Sequence, residues 1–555
     1  MKTRMLFVSV PLLLPAVLSA LVGSLSAQGP GGLPPVPVPP ENPITAEKAV
    51  LGKILFWEEQ MSSDNRVACG TCHRPEAGGG DPRPAAIHPG RDNLLGTPDD
   101  IRGSAGVRAA DANNDYRRSA QFGFQPQATG RSSQGFYVAP WAPELFWDGR
   151  ARSRFLDPQT GVQRIAAGGA LENQSVDPPL SSVEMAHDVR SWTQITGKLA
   201  AAKPLGLATN LPADVSAAIA ANPTYPQLFA AAFGDTGITA TRIAFALATY
   251  QRTLVPDQTP WDQFQRGNTA AMTMRQQGGM NLFNGPARCN LCHTPGLFTD
   301  NTFRNIGVTP VADDMGRQAV TNNVADRGKF KVPSLRNVGL RRMLMHNGLF
   351  QTVQQAMGFY NNGGGPFLDN KDPALVPLNL MPMQLDALAD FVGNALTDPR
   401  VAARQFPFDR PTLRGELMGP NGFVFGAGSA GTGGLVPQVL AEVPANVGNS
   451  EFKLGVHQAR GGAQATLALS LFPAIPGTNW NGIPLHADIF GSTLFVNRVL
   501  GGTSGVGGQG FGTVRQAVPA DPSLSGINLT AQWLVWDTGT TFGLAVTQGA
   551  SVRLF

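Results

Sequence analysis

The sequence predicts a mainly α chain: two helical units, each built around one copy of a short cysteine–histidine motif, followed by a C-terminal all-β, sandwich-like region. Three observations carry this expectation. The motifs CGTCH (69–73) and CNLCH (289–293) are separated by a domain-sized segment. Helical apolar periodicity flanks each of them. After about residue 410 glycine rises and the periodicity switches to short alternating runs punctuated by Gly, Pro and Asn. At 555 residues the chain exceeds one ordinary core. It divides into a signal peptide (1–27), a Pro-rich leader (28–44), a first helical unit (45–265), a second (266–410) and the β region (415–555).

In chain order, Lys2 and Arg4 precede an apolar run that ends on the small residues Ser26 and Ala27. This is a secretory signal pattern, so the expected location is periplasmic or otherwise exported. A membrane anchor is the alternative. Prolines inside the run, and the following GPGGLPPVPVPPENP, favour cleavage and a flexible leader. No other window holds the roughly 18 apolar residues that a spanning helix needs. TAEKAVLGKILFWEE (45–59) carries a Thr cap and helical apolar spacing. Residues 74–140, rich in Gly, Pro, Asp and Arg, read as long loops. TATRIAFALATYQRTLV (239–255) is an amphipathic helix, and MTMRQQGGMNLF (272–283) is a helix entering the second motif through a turn at 284–288. MQLDALADFVGNALTD (383–398) places Leu385, Leu388, Val392 and Leu396 on one face. TLALSLF, STLFVNRVL, LTAQWLVWD, TFGLAVT and ASVRLF are the expected strands. A formal net charge of +4, without a Lys/Arg cluster, excludes a nucleic-acid footprint.

An exported chain ordinarily uses cysteines for disulfides. Here Cys69, Cys72, Cys289 and Cys292 form two CxxC pairs, each followed directly by His, and none is left over. CxxCH is the attachment signature of c-type haem. The two thiols add to the two vinyl groups, and the next residue turns its imidazole under the iron. A thioredoxin-like redox pair or half a zinc site share the CxxC spacing, but two copies that use every cysteine point to two covalently attached c-type haems. His73 and His293 are then the proximal ligands. Helices before and after each motif fit two cytochrome c-like haem domains.

The ordered series LGKILFW (51–57), CGTCH, GGGD (78–81), LFWDGRA (145–151), LENQSVDPPLSSVEM (171–185), ATYQRTL (248–254), CNLCH, DRGKFKVPSLRNV (326–338) and HNG (346–348) resembles the bacterial di-haem cytochrome c peroxidases and their MauG-type relatives. The resemblance runs from about residue 46 to 400. It implies hydrogen peroxide as substrate at the first haem, with Glu184 as the distal acid–base and Gln174 and Pro178 shaping its pocket. Read alone, Glu184 would be a helix-start or surface carboxylate. Trp147 matches a tryptophan between the haems that can relay an electron, and it can equally be core packing. His88 lies in the loop where many family peroxidases keep a removable sixth ligand of the first haem, a position that the MauG type leaves open. A solvent-exposed loop histidine is the other reading. His346 matches a family histidine near the second haem.

The resemblance also implies an inter-haem calcium ion, with Ser132 at the asparagine position and Arg341 and Met343 at the two carbonyl positions. Loss of the amide oxygen argues against a hard-cation site. The typical peroxidase places its second-haem methionine ligand at a set distance after the HNG histidine, and the same count from His346 ends on Tyr360. The MauG type has tyrosine there. A phenolate, as a hard anionic donor, favours ferric over ferrous iron. Met357, Met343 and Met345 are nearby rivals, and a core tyrosine is the plain alternative. The expected partners are a small cytochrome or cupredoxin donor, or an oxidisable protein or peptide in the MauG manner. Family peroxidases are often homodimers. A different class would be a non-catalytic di-haem electron carrier with a surface-binding β domain.

Overall fold

The computed structural model describes residues 32–417 and 423–555, so the signal-peptide reading at 1–27 lies outside the described residues. Among the described residues no helix is long and apolar enough to cross a membrane. The described part of the leader is not a free tether. Its extended prolines leave carbonyls open, and these accept from the first helical unit: Pro34 and Pro35 from Trp141 Nε1 at 3.2 and 3.1 Å, and Pro37 from Arg252 Nε at 3.2 Å. Leu33 is buried.

In the first unit, helix α1 (Ala46–Phe56) starts on Thr45, whose hydroxyl accepts from the Lys48 amide. Later come α2 (Ala170–Ser175), α3 (Trp192–Ala201) and α4 (Ala240–Thr253). α1 crosses α4 at Gly52, where a Cβ would fall 1.9 Å from the Ala246 carbonyl oxygen. That contact explains the glycine of LGKILFW. Leu51, Ile54 and Leu55 pack there against Ile243, Ala246 and Leu247. The second unit repeats the device. Helix α5 (Met274–Asn284) crosses α7 (Pro382–Asp390) at Gly279, whose Cβ would lie 2.0 Å from the Ala387 oxygen. α6 (Val353–Asn361) lies between them in sequence. The helix expected over 383–398 stops being α-helical at Asp390 and continues as a π turn, Phe391–Ala395. That turn brings the Gly393 carbonyl against Gly339, where a Cβ would clash. The apolar face nonetheless holds, with Leu388, Val392 and Leu396 buried.

The two cores do not divide where the sequence division falls. Trp261 packs in the second core, whereas Val401, Phe408 and Leu413 return to the first. The stretch read as loops at 74–140 contains two short antiparallel pairs, β1 (Ala86–His88) with β2 (Ile101–Gly103) and β3 (Ala105–Arg108) with β4 (Pro126–Ala128).

The C-terminal strands are β5 (Phe423–Phe425), β6 (Gln438–Leu440), β7 (Lys453–Ala459), β8 (Gln464–Ser470), β9 (Thr493–Val499), β10 (Gly510–Arg515), β11 (Asn528–Trp536), β12 (Leu544–Val546) and β13 (Gly549–Arg553). The five expected runs all form strands. One antiparallel sheet has the order β6-β7-β10. The other has the order β9-β8-β11-β13-β5, with β12 also on β11. Leu454 and Val456 of the first face Leu467, Trp533 and Val535 of the second in one core, which makes a sandwich. Alternation fades along β11 because its outer face is buried too, under Ile483, Leu485 and β12.

This sandwich docks on the 105–125 segment of the first unit. Buried Lys453 donates to the Asn114 carbonyl and side chain at 2.8 and 2.7 Å and lies over the Tyr116 ring. Gly455 leaves room for that ring, since a Cβ would sit 2.6 Å from it. His457 stacks on Phe124 at 5.0 Å, and Arg108 pairs with Glu442, both buried. Breaking a buried pair from one side strands a charge and costs about 3–5 kcal/mol. Glu442→Ala is therefore expected to lower the stability of the holoprotein by that amount in equilibrium urea unfolding, whereas an independent appendage would leave the haem-domain transition unmoved.

Candidate functional site

The first motif is a single helical turn, Cys69–Cys72. Its second residue is Gly70 because the Trp57 ring occupies the Cβ position, 2.2 Å away. His73 follows the turn and donates Nδ1–H to the Gly79 carbonyl at 2.9 Å. A carbonyl only accepts, so Nε2 keeps its lone pair for a metal. The second motif does the same: His293 donates Nδ1–H to the Phe298 carbonyl at 3.1 Å. The loop carrying that carbonyl is clamped by KVPSLRN. Arg336 donates to the Gly296 carbonyl at 2.7 Å and Ser334 to Leu297 at 2.6 Å, and Arg336 forms a fully buried bidentate pair with Asp262. Burial pushes both imidazoles below their usual range, which keeps them neutral. The four cysteines form no disulfide. Burial pushes the thiols of Cys69, Cys72 and Cys289 up to about 12.

Each motif opens into its own cavity. Cys69, Cys72 and His73 share the first with Gln174, Glu184 and Arg150. Cys289, Cys292 and His293 share the second with His346, Met357 and Tyr360. The rest of the walls is largely apolar, with Phe56, Val67 and Met185 in the first and Phe283, Val353 and Leu378 in the second. In the second wall, His346 Nε2 and Arg341 Nη1 are buried without a protein partner. A thiol pair, a neutral imidazole, apolar walls and orphaned donors fit a covalently held, flat cofactor that bears carboxylates.

The first cavity holds the carboxyl of Glu184. Ser181 O accepts from the amides of Glu184, Met185 and Ala186, so the VEM segment is a tight turn. β3 backs it: a Cβ at Gly106 would lie 1.9 Å from Val183 O. Among the described residues Glu184 makes no side-chain ion pair, and burial raises its carboxyl above the ordinary value, partly opposed by the nearby Arg150 charge. Gln174 sits on α2, which is anchored from behind by the buried Glu172–Arg252 pair at 2.6 and 3.0 Å and by Asn42 at 2.8 Å. Pro178 completes that wall. Arg150 went unassigned in the sequence reading. It lies in WDGRA, packs over Phe146 at 3.5 Å and is the cation closest in effect to Glu184.

Trp147 lines both cavities and is the aromatic residue common to them. Its Nε1 donates to Ser132 O at 2.8 Å, and its carbonyl accepts from the Lys331 amide at 2.8 Å. His88 is not among the residues lining the first cavity. It ends β1, accepts at Nδ1 from the Gly90 amide and meets the Phe122 ring at 5.6 Å. His346 stacks on Phe330 at 3.7 Å, and its ring centroid lies 6.3 Å from that of Trp147. Tyr360 and Met357 are one turn apart on α6 and both face the second cavity. Burial raises the Tyr360 phenol well above its usual range, so only a positive centre beside it would hold it as phenolate.

A family model described as di-haem cytochrome c peroxidase matches residues 46–270. The cytochrome-c peroxidase IdrP1 of Denitromonas iodatirespirans is 30% identical over 433 residues, covering 72% of this chain and 93% of that protein. The methylamine utilization protein MauG of Methylorubrum extorquens is 29% identical over 333 residues, covering 59% of this chain and 72% of that protein. A solved MauG-like protein associated with microbial copper homeostasis shares the fold, with a TM-score of 0.50 at 21% identity over 69% of this chain and 98% of that one.

Proposed function

The chain belongs to the di-haem cytochrome c peroxidase family, and from that premise we propose that it reduces hydrogen peroxide in the His73 cavity and shares the oxidising equivalents with the His293 cavity. The observation that carries this reading is the pairing of Glu184, a half-buried carboxyl with no ion-pair partner among the described residues, with His73 and the CxxC thiols in one cavity. Bound there, haem iron supplies the redox centre at which the O–O bond breaks. Glu184 does the proton work: its carboxylate takes a proton from one peroxide oxygen and returns it to the departing one. Gln174 supplies a hydrogen-bonding amide to the same space, and Arg150 adds positive charge where negative charge develops. A non-catalytic electron carrier needs none of these groups. The signal pattern at 1–27 supports an exported enzyme.

Within the family the MauG-like version is the better supported, because Tyr360 lines the second cavity and His88 is not among the residues lining the first. Met357 in the same wall favours the conventional version, with a small cytochrome or cupredoxin donor. The two ligands are separable. In the ferric holoprotein, Tyr360→Phe is expected to change the absorption and EPR signature of one haem only, while Met357→Leu leaves both. The reverse result assigns the conventional enzyme.

Glu184→Gln keeps the shape and removes the base. It is expected to keep both haems and to lower kcat/KM for hydrogen peroxide about 10²–10⁴-fold. Because burial raises the Glu184 carboxyl, the wild-type rate is expected to fall as pH drops through an inflection above the ordinary 4.5, and Glu184→Gln to lack that inflection.

A further inference from the structure

Within GGGD (78–81) the Gly79 carbonyl holds the His73 ring, and the glycines on either side of it, Gly78 and Gly80, close on one other side chain. A Cβ on Gly78 would lie 2.9 Å from Arg341 Cγ, and one on Gly80 would lie 2.9 Å from Arg341 Nη1. A Cβ on Gly135, which lines both cavities, would lie 3.6 Å from the same nitrogen. The glycines thus form a cradle for the Arg341 guanidinium between the proximal loop of His73 and the second cavity, whose wall Arg341 helps form.

Its hydrogen bonds are unusual for a buried arginine. Nη2 donates to the carbonyls of Ser133 and Met343, the latter at 3.2 Å. No carboxylate pairs with it among the described residues, and Nη1 is buried with no partner. Ser132, at the position where an asparagine oxygen would be a ligand, donates its hydroxyl hydrogen to Met345 O at 2.7 Å. Among the described residues no three Asp, Glu, His or Cys side chains gather to hold a metal. A calcium ion needs six to eight oxygens. Here the Met343 carbonyl is already bonded to a cation, and a divalent ion beside it would meet a like charge.

We propose that the Arg341 guanidinium is a built-in cation that replaces the inter-haem calcium implied by the family, and that its free Nη1 serves a carboxylate of the cofactor in the second cavity. The proposal rests on the two-haem reading. Burial lowers Arg341 only to about 10, so it stays charged at neutral pH. Its charge also reaches His73. A fixed positive charge near both sites disfavours the ferric state, so it raises reduction potentials without depending on dissolved calcium.

The test is made on the purified holoprotein. Haem content is measured first by pyridine haemochrome, where fewer than two haems per chain would overturn the underlying reading and leave iron-free sites as the explanation. Given two haems, the expected result is no bound calcium by elemental analysis, and no change in absorption spectrum or Tm on adding EGTA or calcium chloride. One tightly held calcium per chain, or a spectral change with EGTA, would overturn the proposal, and this needs no variant. In spectroelectrochemical titration, Arg341→Met is expected to lower the potential of at least one haem, and Arg341→Lys to restore most of the shift. Unchanged potentials in Arg341→Met would also overturn it.

Discussion

Two hydrogen bonds fix what the rest of the molecule can do: the Nδ1–H of His73 to Gly79 O, and that of His293 to Phe298 O. Each sets the tautomer of a half-buried imidazole and holds its ring against rotation. A carbonyl can do this only if its own loop is rigid, and the two loops are stiffened differently. The first is a closed turn in which the Gly79 amide returns to Arg74 O at 2.8 Å and Arg74 N reaches Gly80 O at 3.0 Å. The second is clamped by Arg336, which is locked in turn by Asp262. The helix crossings at Gly52 and Gly279 set the frame that carries these loops.

The same scaffold makes two unlike cavities. The first offers a carboxyl, an amide and a guanidinium around open space. The second offers a phenol and a thioether from one helix. On the function proposed above, this asymmetry separates peroxide chemistry from storage of oxidising equivalents. Trp147 is shared by both walls and held at both ends, through Nε1 to Ser132 and through its carbonyl to Lys331. The sandwich braces the arrangement from outside, because the strand that backs Glu184 ends in Arg108, the partner of Glu442.

Local signals in the sequence were enough for the haem motifs, the capped helices and the five alternating strands, since each depends on neighbours a few residues away. Strand β7, KLGVHQA, carries a weak local signal because Gly455 sits within it to leave room for the Tyr116 ring and its pairing is interrupted after Val456. The leader looked flexible because proline carbonyls have no local donors; their partners are Trp141 and Arg252, far along the chain. The π turn at Phe391–Ala395 follows from a tertiary approach to Gly339 that no periodicity records. In the site, Cys, His, Glu184, Gln174, Trp147 and Tyr360 were legible through ordered motifs. Arg150 and Arg341 were not, because their meaning lies in what surrounds them. His88 ends β1, paired with β2, and is not among the residues lining the first cavity.

On the function proposed above, the two cavities act as one oxidising unit through Trp147. The direct measurement adds one equivalent of hydrogen peroxide to the diferric holoprotein and follows the two haem EPR signals by rapid freezing. Wild type is expected to lose both ferric signals together. Trp147→Leu, with both haems in place, is expected to lose the first at the wild-type rate and the second more slowly. Equal loss of both signals in Trp147→Leu would contradict the account.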